Sequence, residues 1–95
     1  MTKKGRSAVF FDRDGVLNHD AGYVHTPEAF AWTDEAVEAV RQVNDAGWLA
    51  FVVTNQSGIA RGYYGPEDVT RLHQWMQHEL GRHGAHIDAY YYCPH

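Results

Sequence analysis

The sequence predicts an α/β domain built on a parallel sheet, with elements in the order β-α-β-α-β. Three observations carry this. Short apolar runs occur at residues 8–11, 49–53 and 87–92. Two stretches with apolar residues at helical spacing lie between them. Polar or glycine-containing segments separate the two kinds of pattern.

The first run, AVFF, is bounded by Asp12-Arg13-Asp14-Gly15 and reads as a buried strand ending at a turn. Residues 16–33 are a long polar stretch, expected to be a loop with some local structure. A helix is expected from Asp34, a good N-cap residue, with Ala36, Val37, Val40 and Val43 as its apolar stripe. Gly47 supplies its stop. Residues 49–53 form the second strand, and a glycine-containing loop over 54–65 follows. Pro66 suits the first turn of a second helix, whose buried face is Val69, Leu72, Met76 and Leu80. Gly81 or Gly84 ends it, and residues 87–92 make the third strand.

This order has a geometric consequence. Crossovers between parallel strands are right-handed, so with strand order 1-2-3 both helices cover one face of the sheet. The other face is then bare. Yet Ala8 and Phe10 point one way and Val9 and Phe11 the other, and residues 49–53 are apolar on both sides. The chain is therefore expected to be a truncated half of a doubly wound domain. The missing half would add strands beside the first strand and helices on the second face. The alternative is a self-sufficient three-stranded domain, its bare face covered by the 16–33 loop or by a dimer partner. An open strand edge predicts that such a fragment self-associates. Residues 1–7, with Lys3, Lys4 and Arg6, are expected to be a disordered basic tail, and 8–95 the half domain.

Composition narrows the partners. Eight Lys and Arg stand against twelve Asp and Glu, a net charge of −4, which argues against a general nucleic-acid binder. No apolar stretch approaches the roughly 20 residues of a membrane helix, and no signal peptide is recognisable. The single cysteine, Cys93, excludes an internal disulfide. A soluble cytoplasmic protein is expected, with no membrane or nucleic-acid partner. His19, His25, His73, His78, His83 and His86 fall in no metal-ligand pattern.

Open parallel sheets place their sites outside the carboxyl ends of the strands. Asp12-Arg13-Asp14-Gly15 follows the first strand and Thr54-Asn55-Gln56-Ser57-Gly58 the second, so both motifs belong to one mouth. Two aspartates at i and i+2 repel each other unless a cation joins them. Mg²⁺ takes carboxylate oxygens together with substrate phosphate. With the charge neutralised, Asp12 can act as a nucleophile toward a phosphate ester, forming an aspartyl-phosphate. Asp14 can protonate the leaving oxygen and then deprotonate the attacking water. Thr54, Asn55 and the amides around Ser57 and Gly58 suit the phosphate oxygens. Alone, D-x-D-G could be a polar strand-ending turn; its pairing with T-N-Q-S-G at the next strand end favours the chemistry.

Residues 11–18, FDRDGVLN, resemble the first motif of the haloacid dehalogenase superfamily of phosphohydrolases. Residues 54–62, TNQSGIARG, resemble the second motif of one branch, the D-glycero-D-manno-heptose 1,7-bisphosphate phosphatases. DAGYVH at 20–25 and YYCPH at 91–95 are similar to that branch as well. Histidinol-phosphate phosphatases share the aspartate motif but differ after T-N-Q. Polynucleotide 3′-phosphatases share T-N-Q-x-G-I but belong to larger proteins.

The resemblance implies a Rossmann-like fold and hydrolysis of the 7-phosphate of the heptose bisphosphate, a small sugar-phosphate substrate. It makes Asp12 the nucleophile and a Mg²⁺ ligand, and Asp14 the general acid/base, which would also hold Mg²⁺ through its backbone carbonyl. Thr54, Asn55, Gln56 and Ser57 would hold the transferring phosphate. Asp20, Ala21, Gly22 and Tyr23 would line the sugar side, with Arg61 also at the substrate. Cys93 and His95 would be two ligands of a structural zinc loop, a half site without the two later cysteines of the family. The family's third and fourth motifs, a lysine and an acidic residue, match nothing in these 95 residues. The expectation is a monomeric parent enzyme and a 95-residue chain inactive by itself. Alternatives from other classes are another phosphomonoesterase of the superfamily, a non-catalytic truncated product, and a small anion- or metal-binding module.

Overall fold

The computed structural model describes residues 6–95. The elements are β1 (Ala8–Asp12), a short 3-10 helix (Pro27–Ala29), α1 (Ala36–Asp45), β2 (Leu49–Asn55), α2 (Pro66–Arg82) and β3 (Ala89–Cys93). The strands form one parallel sheet in the order β1-β2-β3. The expected α/β order is present, and the strand order is 1-2-3, the condition under which both helices cover one face.

Element boundaries differ from expectation where local chemistry overrides the apolar pattern. Strand β2 runs on through Thr54 and Asn55 because these residues still pair with Tyr92 and Cys93. Helix α1 is not capped by Asp34. Its N-cap is Glu35, at φ +68 and with no side-chain cap, because a turn closed by the Ala36 N–H to Thr33 C=O bond (3.2 Å) starts the helix instead. Gly47 sits just past α1 at φ +79, the left-handed stop that glycine provides most cheaply. Pro66 occupies the first turn of α2, and the Gly65 N–H donates to Asp68 Oδ2 at 2.9 Å. Gly81 lies inside that helix, so Gly84 at φ +74 is the stop.

Of the tail expected over 1–7, residues 1–5, with Lys3 and Lys4, lie outside the described residues. The last two residues correct the expectation. Arg6 Nε donates to Gly47 O at 3.0 Å, and Ser7 O accepts from the Leu49 N–H at 2.8 Å. Both are drawn in by the start of β2.

Both helices pack on one face of the sheet, in one cluster. Ala36 and Val40 from α1, Leu72, Met76 and Leu80 from α2, and Ala50 and Val52 from β2 are all buried in it. The 16–33 segment joins the same cluster through Leu17, Val24 and Phe30, and Phe30 meets Trp32 and Trp75 edge to face. The loop therefore does not cover the other face. There Phe10, Phe51 and Tyr91 form an aromatic row across the three strands, with ring centroids 5.1 and 6.0 Å apart. Phe10 is 61% exposed and Tyr91 54%. The bare face inferred from strand alternation is thus present, and it is apolar.

Candidate active site

The turn after β1 builds the floor of a cleft at the carboxyl ends of β1 and β2. Arg13 O accepts from the Val16, Leu17 and Asn18 N–H groups, and the Gly15 N–H returns to Asn18 O at 2.7 Å. Gly15 takes φ +90 in this tight reversal, a conformation that side chains resist. The turn leaves the exposed Asp12 at the mouth and folds Asp14 back over it.

Arg13 is the residue that sequence reasoning missed. A charged residue between two aspartates reads as solvated, yet Arg13 is fully buried. Its Nε and Nη2 both donate to Asp14 Oδ1, at 3.1 and 2.8 Å. Nη2 also donates to Val24 O at 2.7 Å, and Nη1 lies 3.4 Å from His73 Nε2 on α2. Arginine has only donors, so His73 must be the acceptor and neutral. Burial first, then the Arg13 charge, holds the imidazole at a pKa of about 4, with Asp14 opposing weakly.

Asp14 is held from both sides. Oδ1 accepts from Arg13 and from Asn18 Nδ2 (3.0 Å). Oδ2 lies 3.3 Å from Gln56 Nε2 and 3.5 Å from Thr54 Oγ1. Gln56 also donates to Thr54 Oγ1 at 2.7 Å, and its Oε1 accepts from the Tyr64 hydroxyl. Burial raises the pKa of that phenol, so it stays a donor. Gln56 lines the cleft, while its amide bonds Asp14, Thr54 and Tyr64 and its backbone N–H donates to Cys93 O at 2.6 Å, so it also holds Asp14 and Thr54 in place.

The cleft measures about 550 Å³. Asp12, Asp14, Thr54, Asn55, Gln56 and Ser57 line it together with Asp20, Gly22 and Tyr23. Two residues expected at the substrate stand apart: Ala21 and Arg61 are exposed and do not line it. Tyr64, absent from the sequence reading, lines it as well. The signal for Tyr64 lay in Gly58. A Cβ at Gly58 would meet the Tyr64 ring, 2.7 Å from Cζ and 2.8 Å from Oη. The ring cannot swing away freely, because it also stacks on His25 at 4.4 Å and 9°. Gly58→Ala is expected to lower stability by about 1–3 kcal/mol through overpacking. Urea unfolding of Gly58→Ala, Tyr64→Leu and the double variant checks this: the double variant should recover most of the loss, and strict additivity would refute the contact.

Cys93 and His95 are exposed at the end of β3. Their neighbourhood has a different use: the Cys93 and Pro94 carbonyls accept from the Gln56 and Ala60 N–H groups and tie the 56–60 loop to β3. Among the described residues no group of three or more His, Cys, Asp or Glu converges as a metal site. No helix among them is long and apolar enough to cross a membrane.

Two adjacent parallel strands end in D-x-D-G and T-N-Q-S-G, with both aspartates and the threonine lining one cleft, and this α/β fold matches that of solved phosphatase structures of the haloacid dehalogenase type. No family model matches the chain. It is 49% identical over 90 residues to the D-glycero-beta-D-manno-heptose-1,7-bisphosphate 7-phosphatase of Rhodopseudomonas palustris, covering 95% of this chain and 50% of that protein. The Pasteurella multocida protein of the same name is 47% identical, with 95% and 49% covered. Among solved structures, the D,D-heptose 1,7-bisphosphate phosphatase of B. bronchiseptica complexed with magnesium and phosphate superimposes with a TM-score of 0.88 at 32% identity, over 94% of this chain and 50% of that one. A HAD-like phosphatase from Mesorhizobium loti gives 0.83 at 34% identity, over 93% and 42%. The chain spans about half the length of the curated relatives it matches.

Proposed function

We propose that the chain carries the nucleophile, the general acid/base and the phosphate loop of a sugar-phosphate phosphatase. The enzyme hydrolyses the 7-phosphate of D-glycero-D-manno-heptose 1,7-bisphosphate in the cytoplasm. The observation that carries this reading is Asp12 and Asp14, two residues apart, at one cleft with Thr54, Asn55 and Ser57. The names of the relatives support the substrate.

The donor set suits Mg²⁺. The carboxylate of Asp12 is exposed at the mouth and Asp14 stands beside it, which provides the oxygen ligands that this cation takes alongside water and phosphate. Bound there, Mg²⁺ neutralises charge between the carboxylates and the phosphate. An oxygen of Asp12 bonds to phosphorus as the bond from phosphorus to the sugar oxygen breaks. Asp14 gives its proton to that leaving oxygen. The oxygen suited to carry it is Oδ2, because Arg13 and Asn18 occupy Oδ1. Asp14 then takes a proton from water as the water attacks the aspartyl-phosphate, releasing phosphate and restoring Asp12. Asn55, Ser57 and the Thr54 hydroxyl hold the phosphate oxygens. The described residues offer zinc only Cys93 and His95, short of the four ligands of a closed structural site, and no step here rests on zinc.

The test is phosphate release from the heptose 1,7-bisphosphate with Mg²⁺, the released position read by ³¹P NMR, beside Asp12→Asn. Release of the 7-phosphate by the wild type, lost in the variant, is expected from a chain carrying the whole reaction. Mg²⁺-dependent binding without release would restrict the chain to holding substrate. A folded chain that does neither would overturn the proposal.

A further inference from the structure

The loops flanking the cleft meet in an aromatic pair that the chemistry above does not use. Tyr23, from the segment after β1, and Tyr63, from the loop after β2, pack edge to face with ring centroids 4.9 Å apart and planes at 80°. Both stay wet, at 44% and 56% exposure, so the pair is not a core contact. Tyr23 is also held in a costly backbone conformation. It takes φ +53 directly after Gly22 at φ +81, a region in which a non-glycine residue loses on the order of 1 kcal/mol.

The pair is nevertheless fixed to the site. Tyr23 O bonds His25 Nδ1 at 2.8 Å, and the His25 ring stacks on Tyr64, whose hydroxyl reaches Gln56 and, through it, Asp14. On the other side, the Tyr63 N–H donates to Gly58 O at 2.9 Å. Tyr23 lines the cleft with Asp20 and Gly22, and the cleft is several times larger than a phosphate group needs. The body of a phosphate ester held at Asp12 and Ser57 must leave through this mouth. A polyhydroxylated sugar presents both an apolar C–H surface and hydroxyls, and a phenol ring answers both.

We propose that Tyr63 is a specificity-determining residue. It does not itself line the cleft; it packs on the Tyr23 ring, which does, and holds that ring as the rim that receives the sugar body of the substrate, favouring sugar phosphates over inorganic phosphate and small esters. This rests on the sugar-phosphate reading of the cleft. The test is calorimetric titration of the full chain with Mg²⁺ present, using heptose 1,7-bisphosphate and inorganic phosphate as separate probes. Tyr63→Ala is expected to weaken the bisphosphate about fivefold, the scale of a single aromatic contact, and to leave inorganic phosphate within about twofold. Tyr63→Phe should stay close to wild type for both. Equal weakening of both probes in Tyr63→Ala would make the residue merely structural, and no weakening of either would remove it from the site. Each of those results leaves the phosphatase reading intact. A wild-type chain that binds neither probe overturns that reading and this one together.

Discussion

Arg13→Leu is expected to destabilise the chain by about 3 kcal/mol, the scale on which one partner of a buried ion pair is lost. The guanidinium is fully buried and its donors serve three acceptors: Asp14, Val24 O and His73. Leucine fills the volume but leaves all three unmet. The Asp14 side chain is 23% exposed, so water relieves part of its loss and keeps the cost at the lower end of the range. Arg13→Lys should fall between, since one ammonium cannot reproduce the two parallel bonds to Oδ1. Urea unfolding of the three proteins decides this. A leucine variant within about 0.5 kcal/mol of wild type would mean that the guanidinium is only a surface ion pair in effect.

The second large effect is a pH dependence from His73. The folded group titrates at about 4 against 6.5 for an ordinary imidazole, chiefly because it is buried and then because Arg13 faces it. Between these values the unfolded chain binds a proton that the folded chain refuses, so stability falls as pH drops from about 6.5 to about 4. Above that window His73 contributes no slope, and below it both states are protonated. At about 1.4 kcal/mol per pH unit, the loss across the window is on the order of 3 kcal/mol. His73→Gln keeps an acceptor for Arg13 and removes the titration. Its unfolding free energy at pH 7, 5.5 and 4 should decline less than that of wild type. Parallel declines would place the acid sensitivity in the carboxylates instead.

Both effects involve residues whose roles sequence alone concealed. The strands and helices were legible because their apolar residues repeat at the right spacing, and the one-sided packing followed from the handedness of crossovers. Asp12, Asp14 and the T-N-Q-S segment were legible because strand ends place them together. Arg13 was not, because its burial depends on His73, 60 positions along the chain, and on Val24 O, contributed by a segment without periodicity. Leu17, Val24 and Phe30 were missed for the same reason: single apolar residues in a polar stretch carry no period, though each is buried in the core. Gln56 lines the cleft as its motif suggests, but its bonds to Tyr64 and Cys93 were not legible, because both partners lie outside the motif.

The bare aromatic face bears on the placement of the Asp12 carboxylate. Catalytic groups need placement to roughly half an ångström. Among the described residues, Asp12 ends β1, a strand bonded to β2 on one side and packed on one face, where Phe11 leans on the core while Phe10 stands in water. Thr54 and Asn55 end β2, which is bonded on both sides. The Thr54–Ser57 segment therefore hangs from the strand bonded on both sides, and the Asp12 carboxylate from a strand with fewer restraints. Whatever settles against Phe10 and the free edge of β1 narrows the wander of the Asp12 carboxylate without touching the cleft, so contact at the back of the sheet becomes aim at its mouth.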